Sequence, residues 1–111
     1  MIIRSDPQES HRVAEALRVA IGLSGGEPEN IHIILMDKAP LLLYQDSYNF
    51  EDGEAIESHL EAMMEYGIGF SVEKSFFTSV NGAGETGFEV KETTSEGISQ
   101  FISQSSTVLI F

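Results

Sequence analysis

Hydrophobic and polar positions along this chain form short segments whose periodicity changes between that of a strand and that of a helix. Residues 30–37 (Asn-Ile-His-Ile-Ile-Leu-Met-Asp) are an apolar run of strand length that contains a single histidine, His32. A run without polar alternation is typical of a strand that is covered on both faces. We therefore predict that residues 30–37 are the central strand of a parallel sheet, with His32 hydrogen-bonded beneath a covering helix.

Two segments have helical periodicity. The first begins at residues 6–9, which supply an aspartate, a proline and a glutamate, and it ends at residues 24–26, a serine followed by two glycines. The second runs from about Gly53 to Tyr66, with glutamates opposite its apolar face. We predict that the apolar faces are buried; their residues are Val13, Leu17, Ala20 and Ile21 in the first helix and Ile56, Leu60, Met63 and Met64 in the second.

Shorter segments complete the pattern. Apolar runs and alternation predict further strands at residues 1–4, 67–72, 88–91 and 107–111. A short helix before a turn at residues 81–84 is predicted by Phe76, Phe77 and Val80. The sequence Thr-Thr-Ser-Glu at residues 93–96 fits a capping box, which predicts the start of a last helix with an apolar face of Ile98, Phe101 and Ile102.

These elements alternate along a single domain, residues 1–111, as five strands and four helical segments. Short alternating units of this kind favour a parallel sheet with right-handed crossovers and helices on both faces. The predicted fold is therefore an α/β protein, a three-layer α/β/α sandwich of the flavodoxin-like class with a mainly parallel five-stranded sheet.

The charge is strongly negative. Acidic residues outnumber basic ones by 18 to 6, which gives a net charge of -12. Residues 39–73 include eight carboxylates and no lysine or arginine. Such a surface repels phosphate backbones, so we predict no nucleic-acid partner. A solvated helix face explains the acidic segment, and docking of a basic partner is the alternative.

The absence of cysteine excludes disulfides, thiolate metal sites and thiol nucleophiles. No apolar run approaches the roughly 20 residues of a membrane helix, and no signal-peptide core follows the first residues. We therefore expect no membrane partner and a cytoplasmic location. The three histidines lie in different predicted elements without the i, i+4 spacing of a helical metal site, so neither a metal site nor a cofactor is expected.

Polar residues are predicted at the carboxyl ends of the strands, where ligands and chemistry gather in parallel sheets. We name them the carboxyl-end residues: Asp6, Asp37, Lys38, Glu73, Lys74 and Ser75. They are a candidate site for a small polar ligand or for a partner's basic loop, and a solvated strand end with a surface ion pair is the simpler alternative.

The segment after the central strand has more apolar surface than a chain this small can bury completely. We predict that part of it is a subunit interface, with core packing as the alternative. The candidate interface residues are Leu41, Leu42, Leu43, Tyr44, Tyr48 and Phe50.

The order of the elements resembles the DsrE/DsrF family, which includes the Tus sulfur-relay subunits. The resemblance spans nearly the whole chain and is carried by residues 37–42 (Asp-Lys-Ala-Pro-Leu-Leu), 65–68 (Glu-Tyr-Gly-Ile) and 98–111. It implies assembly into homo- or hetero-oligomers and, in members active in sulfur transfer, a persulfide on a cysteine just after the third strand. That place falls at about Glu73, and a carboxylate cannot carry sulfane sulfur. The resemblance therefore implies a subunit that cannot carry a persulfide itself.

Two functions from different classes remain, and whether the protein is an enzyme stays open with a noncatalytic role favoured. The first is a noncatalytic DsrE/DsrF-like protein that acts through assembly with itself or a related subunit, as an accessory subunit in sulfur relay. The alternative is a small-molecule-binding or weakly catalytic domain that uses the carboxyl-end residues. A response-regulator receiver is disfavoured because Glu73 stands where its phosphoacceptor aspartate is needed. A hydrolase is disfavoured because the Gly-x-Ser-x-Gly sequence at residues 22–26 ends a predicted helix and does not form the strand-to-helix elbow that a nucleophilic serine needs.

Overall fold

In the residues that the structure describes, four short strands pair in parallel, in the order in which they occur along the chain. The computed structural model describes residues 1–79 and 88–111. Its strands are β1 (Ile2–Ile3), β2 (Ile34–Leu35), β3 (Phe70–Glu73) and β4 (Val90–Thr93). Its α-helices are α1 (Arg12–Ser24), α2 (Leu41–Tyr44), α3 (Gly53–Glu65), α4 (Lys74–Ser79) and α5 (Ser95–Gln104). The predicted α/β class and parallel sheet are confirmed.

The prediction of a fifth strand at residues 107–111 is wrong, because this segment makes only an isolated parallel bridge between Ile110 and Ile2 of β1. The N–H of Ile2 donates to the carbonyl of Leu109 at 2.8 Å, and the N–H of Phe111 donates to the carbonyl of Ile2 at 2.9 Å. The segment therefore lies along the outer side of β1, but its paired stretch is too short to extend the four-stranded sheet as a regular strand.

Side chains of the strands divide between two hydrophobic clusters. Ile3 and Leu35 belong to the main core with buried residues of α1 and α3, which contact each other. Ile2 and Ile34 pack instead with Ile98 of α5. Because successive side chains of a strand point to opposite faces, α5 contacts the face of β1 and β2 opposite the main core.

The central strand is shorter than predicted, although its burial is as expected. Ile33, Ile34 and Leu35 are buried, but only Ile34 and Leu35 are in β2. His32 precedes the strand and is exposed, with its ring centroid 5.0 Å from that of Phe101 in α5. The prediction of a buried, hydrogen-bonded His32 is therefore wrong, because the contact with Phe101 of α5 leaves the side chain exposed.

The first helix begins later and ends where predicted. Asp6 caps a separate turn: its side chain accepts a hydrogen bond from the N–H of Gln8 at 2.9 Å, and α1 begins only at Arg12. The predicted start at residues 6–9 is therefore wrong. The helix ends at Gly25, whose φ of 59° is the left-handed conformation that glycine adopts without steric cost.

The second predicted helix is confirmed as α3, with one exception in its apolar face. Ile56 and Met63 are fully buried, and Leu60 is partly buried against the core. Met64 is 49% exposed, contrary to prediction. Consecutive helical residues are separated by about 100° around the helix axis, so Met63 and Met64 do not share one face.

The last helix also begins one residue later than predicted. The hydroxyl of Thr94 accepts a hydrogen bond from the N–H of Gly97 at 3.1 Å, so Thr94 and not Thr93 is the N-cap of α5. The predicted short helix after β3 is confirmed as α4, with Phe76 buried. Val80 and the predicted turn at residues 81–84 lie outside the described residues. In the part of the chain that is described, each helix is too short or too polar to cross a bilayer.

Candidate functional site at the carboxyl ends of the strands

An ion pair joins the carboxyl ends of β1 and β2. Nε of Arg4 donates to Oδ2 of Asp37 at 2.8 Å. Asp37 has a φ of 56°, and the resulting turn directs its carboxylate back toward β1. Both side chains are at least half exposed, at 57% and 50%, so solvent screening leaves the pair with little net stabilising energy.

The other carboxyl-end residues do not form one cluster with this pair. Asp6 is occupied in capping the turn that precedes α1. Lys38 is exposed beyond Asp37. Glu73 ends β3, and α4 starts directly at Lys74 without a connecting loop.

A cleft of about 310 Å³ lies where β3 meets α4 and β4 meets α5. Glu73 pairs with Thr93 in the strand register, which sets the two chain segments side by side. The lining consists of Glu73, Lys74, Ser75, Thr93, Thr94 and Ser95. One carboxylate, one ammonium and four hydroxyls can hydrogen-bond a small polar molecule, but they include no activated nucleophile because none is paired with a general base.

The structure brings together a second polar cluster that the sequence analysis missed. His11 precedes α1 and Asp52 precedes α3, and Nδ1 of His11 lies 2.7 Å from Oδ2 of Asp52. Nε2 of His11 is 3.8 Å from Oε2 of Glu51. The hydrogen bond with Asp52 holds the pKa of His11 above its ordinary value, and the negative charges of Asp52 and Glu51 raise this pKa further.

This histidine stands at one end of a groove of about 510 Å³ between α1 and α3. The side chains lining the groove are those of His11, Arg12, Ala14, Glu15, Arg18, Asp52, Ala55 and His59. An aspartate that orients a histidine is the arrangement of a general base. No serine, threonine or cysteine lines this groove, however, and the His11 side chain is 75% exposed. The pair can bind or release a proton, but among the described residues it has no side-chain nucleophile to activate.

The described residues contain no group of three or more histidine, cysteine, aspartate or glutamate side chains that is arranged to hold a metal ion. His11, Asp52 and Glu51 form an ion-pair cluster at the start of two helices. One feature of the sequence bears on this cluster: His11 lies near the start of the first predicted helix, and Asp52 directly precedes the second. In a parallel α/β fold the starts of such helices lie at the same end of the sheet.

The candidate interface residues separate into buried and exposed groups. Leu42 and Phe50 are 2% and 8% exposed and belong to the main core, so the core-packing alternative describes these two. Leu41, Leu43 and Tyr44 are partly buried against the same core, and burial raises the pKa of Tyr44. Tyr48 is 94% exposed on a 3-10 turn at Ser47–Asn49.

Comparison with known proteins does not identify a relative. No protein-family model, no curated protein and no solved structure matches this chain. The resemblance to the DsrE/DsrF family therefore stays a hypothesis, carried by the residues quoted for it above.

Proposed function

We propose that this chain is a noncatalytic DsrE/DsrF-like protein that acts by assembling with a second copy of itself or with a related subunit. Within that proposal it is an accessory subunit of a sulfur relay in the cytoplasm. Two features of the sequence support the noncatalytic part: no cysteine is present, and Glu73 occupies the place where the family resemblance expects the persulfide cysteine.

The observation that carries the assembly part is the set of large apolar side chains that stay exposed in the described residues. Interfaces between subunits bury side chains of this kind, and tyrosine and methionine are enriched there. The set comprises Leu23, Tyr48, Met64, Tyr66, Ile102, Val108 and Ile110. Of the candidate interface residues, only Tyr48 belongs to it.

A three-layer arrangement is part of the same proposal. The contact of Ile98 in α5 with Ile2 and Ile34 supports a helical layer on the face opposite α1 and α3. This layer covers β1 and β2, whereas β3 and β4 present Ser71 and Lys91 on that face. A polar face of this kind is compatible with solvent or with a partner's polar surface.

The direct test is the mass of the protein in solution. Size-exclusion chromatography with light scattering, over a hundredfold range of protein concentration, should give a mass that is a multiple of 12.2 kDa. A mass of one chain at every concentration would refute self-assembly. Light scattering of the protein purified from its native cell then tests assembly with a related subunit. A complex whose mass is not a multiple of the mass of this chain indicates a hetero-oligomer.

The cleft between Glu73 and Ser95 favours a second candidate function, the binding of a small polar molecule. Its volume of about 310 Å³ lies at the lower limit of small-molecule pockets, which run from about 300 to 1,000 Å³. Titration of the protein with inorganic phosphate and with glycerol, followed by the amide NMR signals of Lys74 and Thr94, tests this function. Saturable shifts at these two amides in a monomeric protein would favour it over assembly.

A further inference from the structure

The residues beside β1 expose one row of backbone groups. Leu109 and Phe111 direct their groups inward: the carbonyl of Leu109 accepts from Ile2, the N–H of Phe111 donates to Ile2, and its carbonyl accepts from Arg4. Backbone groups of an extended chain point alternately to its two sides. Those of Val108 and Ile110 consequently point outward, away from β1.

Within residues 1–79 and 88–111 these outward groups have almost no hydrogen-bond partner. Among the described residues, neither Val108 nor the N–H of Ile110 makes a backbone hydrogen bond. The carbonyl of Ile110 accepts only a long bond of 3.5 Å from Nη2 of Arg12. An open edge of this kind is a template for another strand, and proteins normally protect it with charged side chains, proline or a bulge.

Residues 107–111 carry none of these protections themselves, and the charged side chain of Arg12 meets this edge through the long bond to the carbonyl of Ile110. From Gly97 to Phe111 the chain has no charged residue and no proline, although 22% of all its residues are charged. Residues 107–111 (Thr-Val-Leu-Ile-Phe) have high strand propensity. The side chains of Val108 and Ile110 are 36% and 59% exposed, so apolar surface coincides with the open backbone groups.

We propose that residues 108–110, which we name the edge segment, pair antiparallel with the edge segment of a second copy of this chain. Val108 then forms two backbone hydrogen bonds with the partner subunit's Ile110, and symmetry adds the two bonds of Ile110 with the partner subunit's Val108. The two-fold axis passes between Leu109 and the partner subunit's Leu109. This inference rests on the proposed assembly and specifies the surface that mediates it.

Self-pairing is favoured by the hydrogen-bond pattern and by charge. A segment with two outward residues separated by one inward residue is complementary to itself about a two-fold axis, which is the symmetry of most homodimers. Two copies of a chain with a net charge of -12 repel each other over most of their surface. The edge segment is uncharged and its Ile110 carbonyl is contacted by the positively charged side chain of Arg12, so repulsion between two copies is weakest there.

The test compares variants of the edge segment with matched controls on other exposed apolar residues. Ile110→Pro removes the outward N–H and leaves the inward bonds to β1 intact, since proline is tolerated where its nitrogen faces away from the sheet. Ile110→Lys adds the charge that natural edges carry. The controls are Met64→Lys, at a side chain of comparable exposure, and Tyr48→Ala, at the exposed candidate interface residue. Sedimentation equilibrium measures association, and far-UV circular dichroism confirms that each variant is folded.

We expect a dimer of twice 12.2 kDa for the wild-type chain and for both controls. Both Ile110 variants should stay folded with a dissociation constant raised roughly tenfold or more. Ile110→Pro removes two hydrogen bonds per dimer, whereas Ile110→Lys keeps the backbone groups but replaces an apolar side chain of the paired surface with a charged one. Hydrogen exchange at the Ile110 amide of the wild-type chain should slow as the dimer forms. If the Ile110 variants do not fold, this concentration-dependent protection decides the question alone.

Four results would overturn the inference. If both Ile110 variants associate as tightly as the wild-type chain, or if Tyr48→Ala is the one variant whose association is weakened, assembly stands but uses another surface. If the Ile110 amide is protected by a copurified peptide and the mass is that of one chain plus that peptide, the edge binds a different partner. If the wild-type chain is monomeric throughout, the proposed function fails as well.

Discussion

Oδ2 of Asp52 lies 2.7 Å from Nδ1 of His11, although the two residues are 41 positions apart in the sequence. The contact joins the residue before α1 to the residue before α3, and it links two helices whose buried faces form much of the core. Asp52 holds this position with a φ of 57°, a conformation that aspartate and asparagine adopt more readily than most residues.

This contact predicts a dependence of stability on pH. The pKa of His11 is raised in the folded protein, chiefly by its hydrogen bond with Asp52, above the value of about 6.5 expected in the unfolded chain. The stabilising contribution is therefore fully present below pH ~6.5 and is lost as the pH rises through the folded pKa of His11. Asp52→Asn removes the negative charge and keeps the backbone conformation accessible, so the pKa of His11 should fall toward its ordinary value.

NMR titration of the His11 ring, with urea unfolding at several pH values, measures both effects. The decrease in unfolding free energy with rising pH should be smaller in Asp52→Asn than in the wild-type protein. His59→Gln, in the same groove but without a hydrogen bond to Asp52, is the control and should leave the His11 titration unchanged. An identical His11 pKa in the wild-type protein and in Asp52→Asn would show that the contact is not formed in solution.

Two glycines predict opposite responses to the same substitution. A Cβ at Gly53 would overlap the backbone carbonyl of Ser47, whereas a Cβ at Gly22 in α1 would meet no atom within 4 Å. Gly53→Ala should therefore lower the unfolding free energy by about 1–3 kcal/mol through overpacking. Gly22→Ala should raise it by about 0.5–1 kcal/mol, since alanine is the better residue within a helix. Urea unfolding midpoints measure both, and equal effects of the two substitutions would contradict the close approach of Ser47 to α3.

The N-cap of α5 predicts a further pair of variants. The hydroxyl of Thr94 accepts from the N–H of Gly97, so Thr94→Ala leaves this donor without its partner and should cost about 1 kcal/mol. Thr94→Ser keeps the hydroxyl and should restore most of the stability. Thermal unfolding followed by circular dichroism distinguishes them. A Thr94→Ser variant as unstable as Thr94→Ala would indicate that the methyl group, and not the cap, is responsible.

Substitution at the end of β3 tests the placement of Glu73. This side chain is partly exposed and makes no ion pair with another described residue. Glu73→Cys should therefore change the unfolding free energy by no more than about 0.5 kcal/mol. Val72→Ala, at the preceding buried position, should cost on the order of 2 kcal/mol. Marked unfolding of Glu73→Cys in a urea titration would show that the strand end is packed against other residues.

Local pattern was sufficient for α3, for the end of α1 and for the direction of the sheet, but it did not predict the start of α1 or the short helix α2. The bounds of α3 and the end of α1 at Gly25 follow from side-chain periodicity and from glycine's access to left-handed conformations, both of which act within a few residues. The burial of Ile33, Ile34 and Leu35 follows from an apolar run too continuous to have one wet face. The apolar runs also located the carboxyl ends of the strands. The carboxyl-end residues do not form one site, however: some belong to an ion pair and others line a cleft.

The sequence by itself therefore determined the α/β class, the parallel sheet and the lack of thiol chemistry. Only the tertiary structure decided that residues 109–111 pair briefly with β1, that Leu42 is buried while Tyr48 is exposed, and that His11 meets Asp52. Each of these contacts joins segments far apart in the chain, and no local periodicity encodes the distance between such segments. They follow from how the elements pack, which is set by the core as a whole.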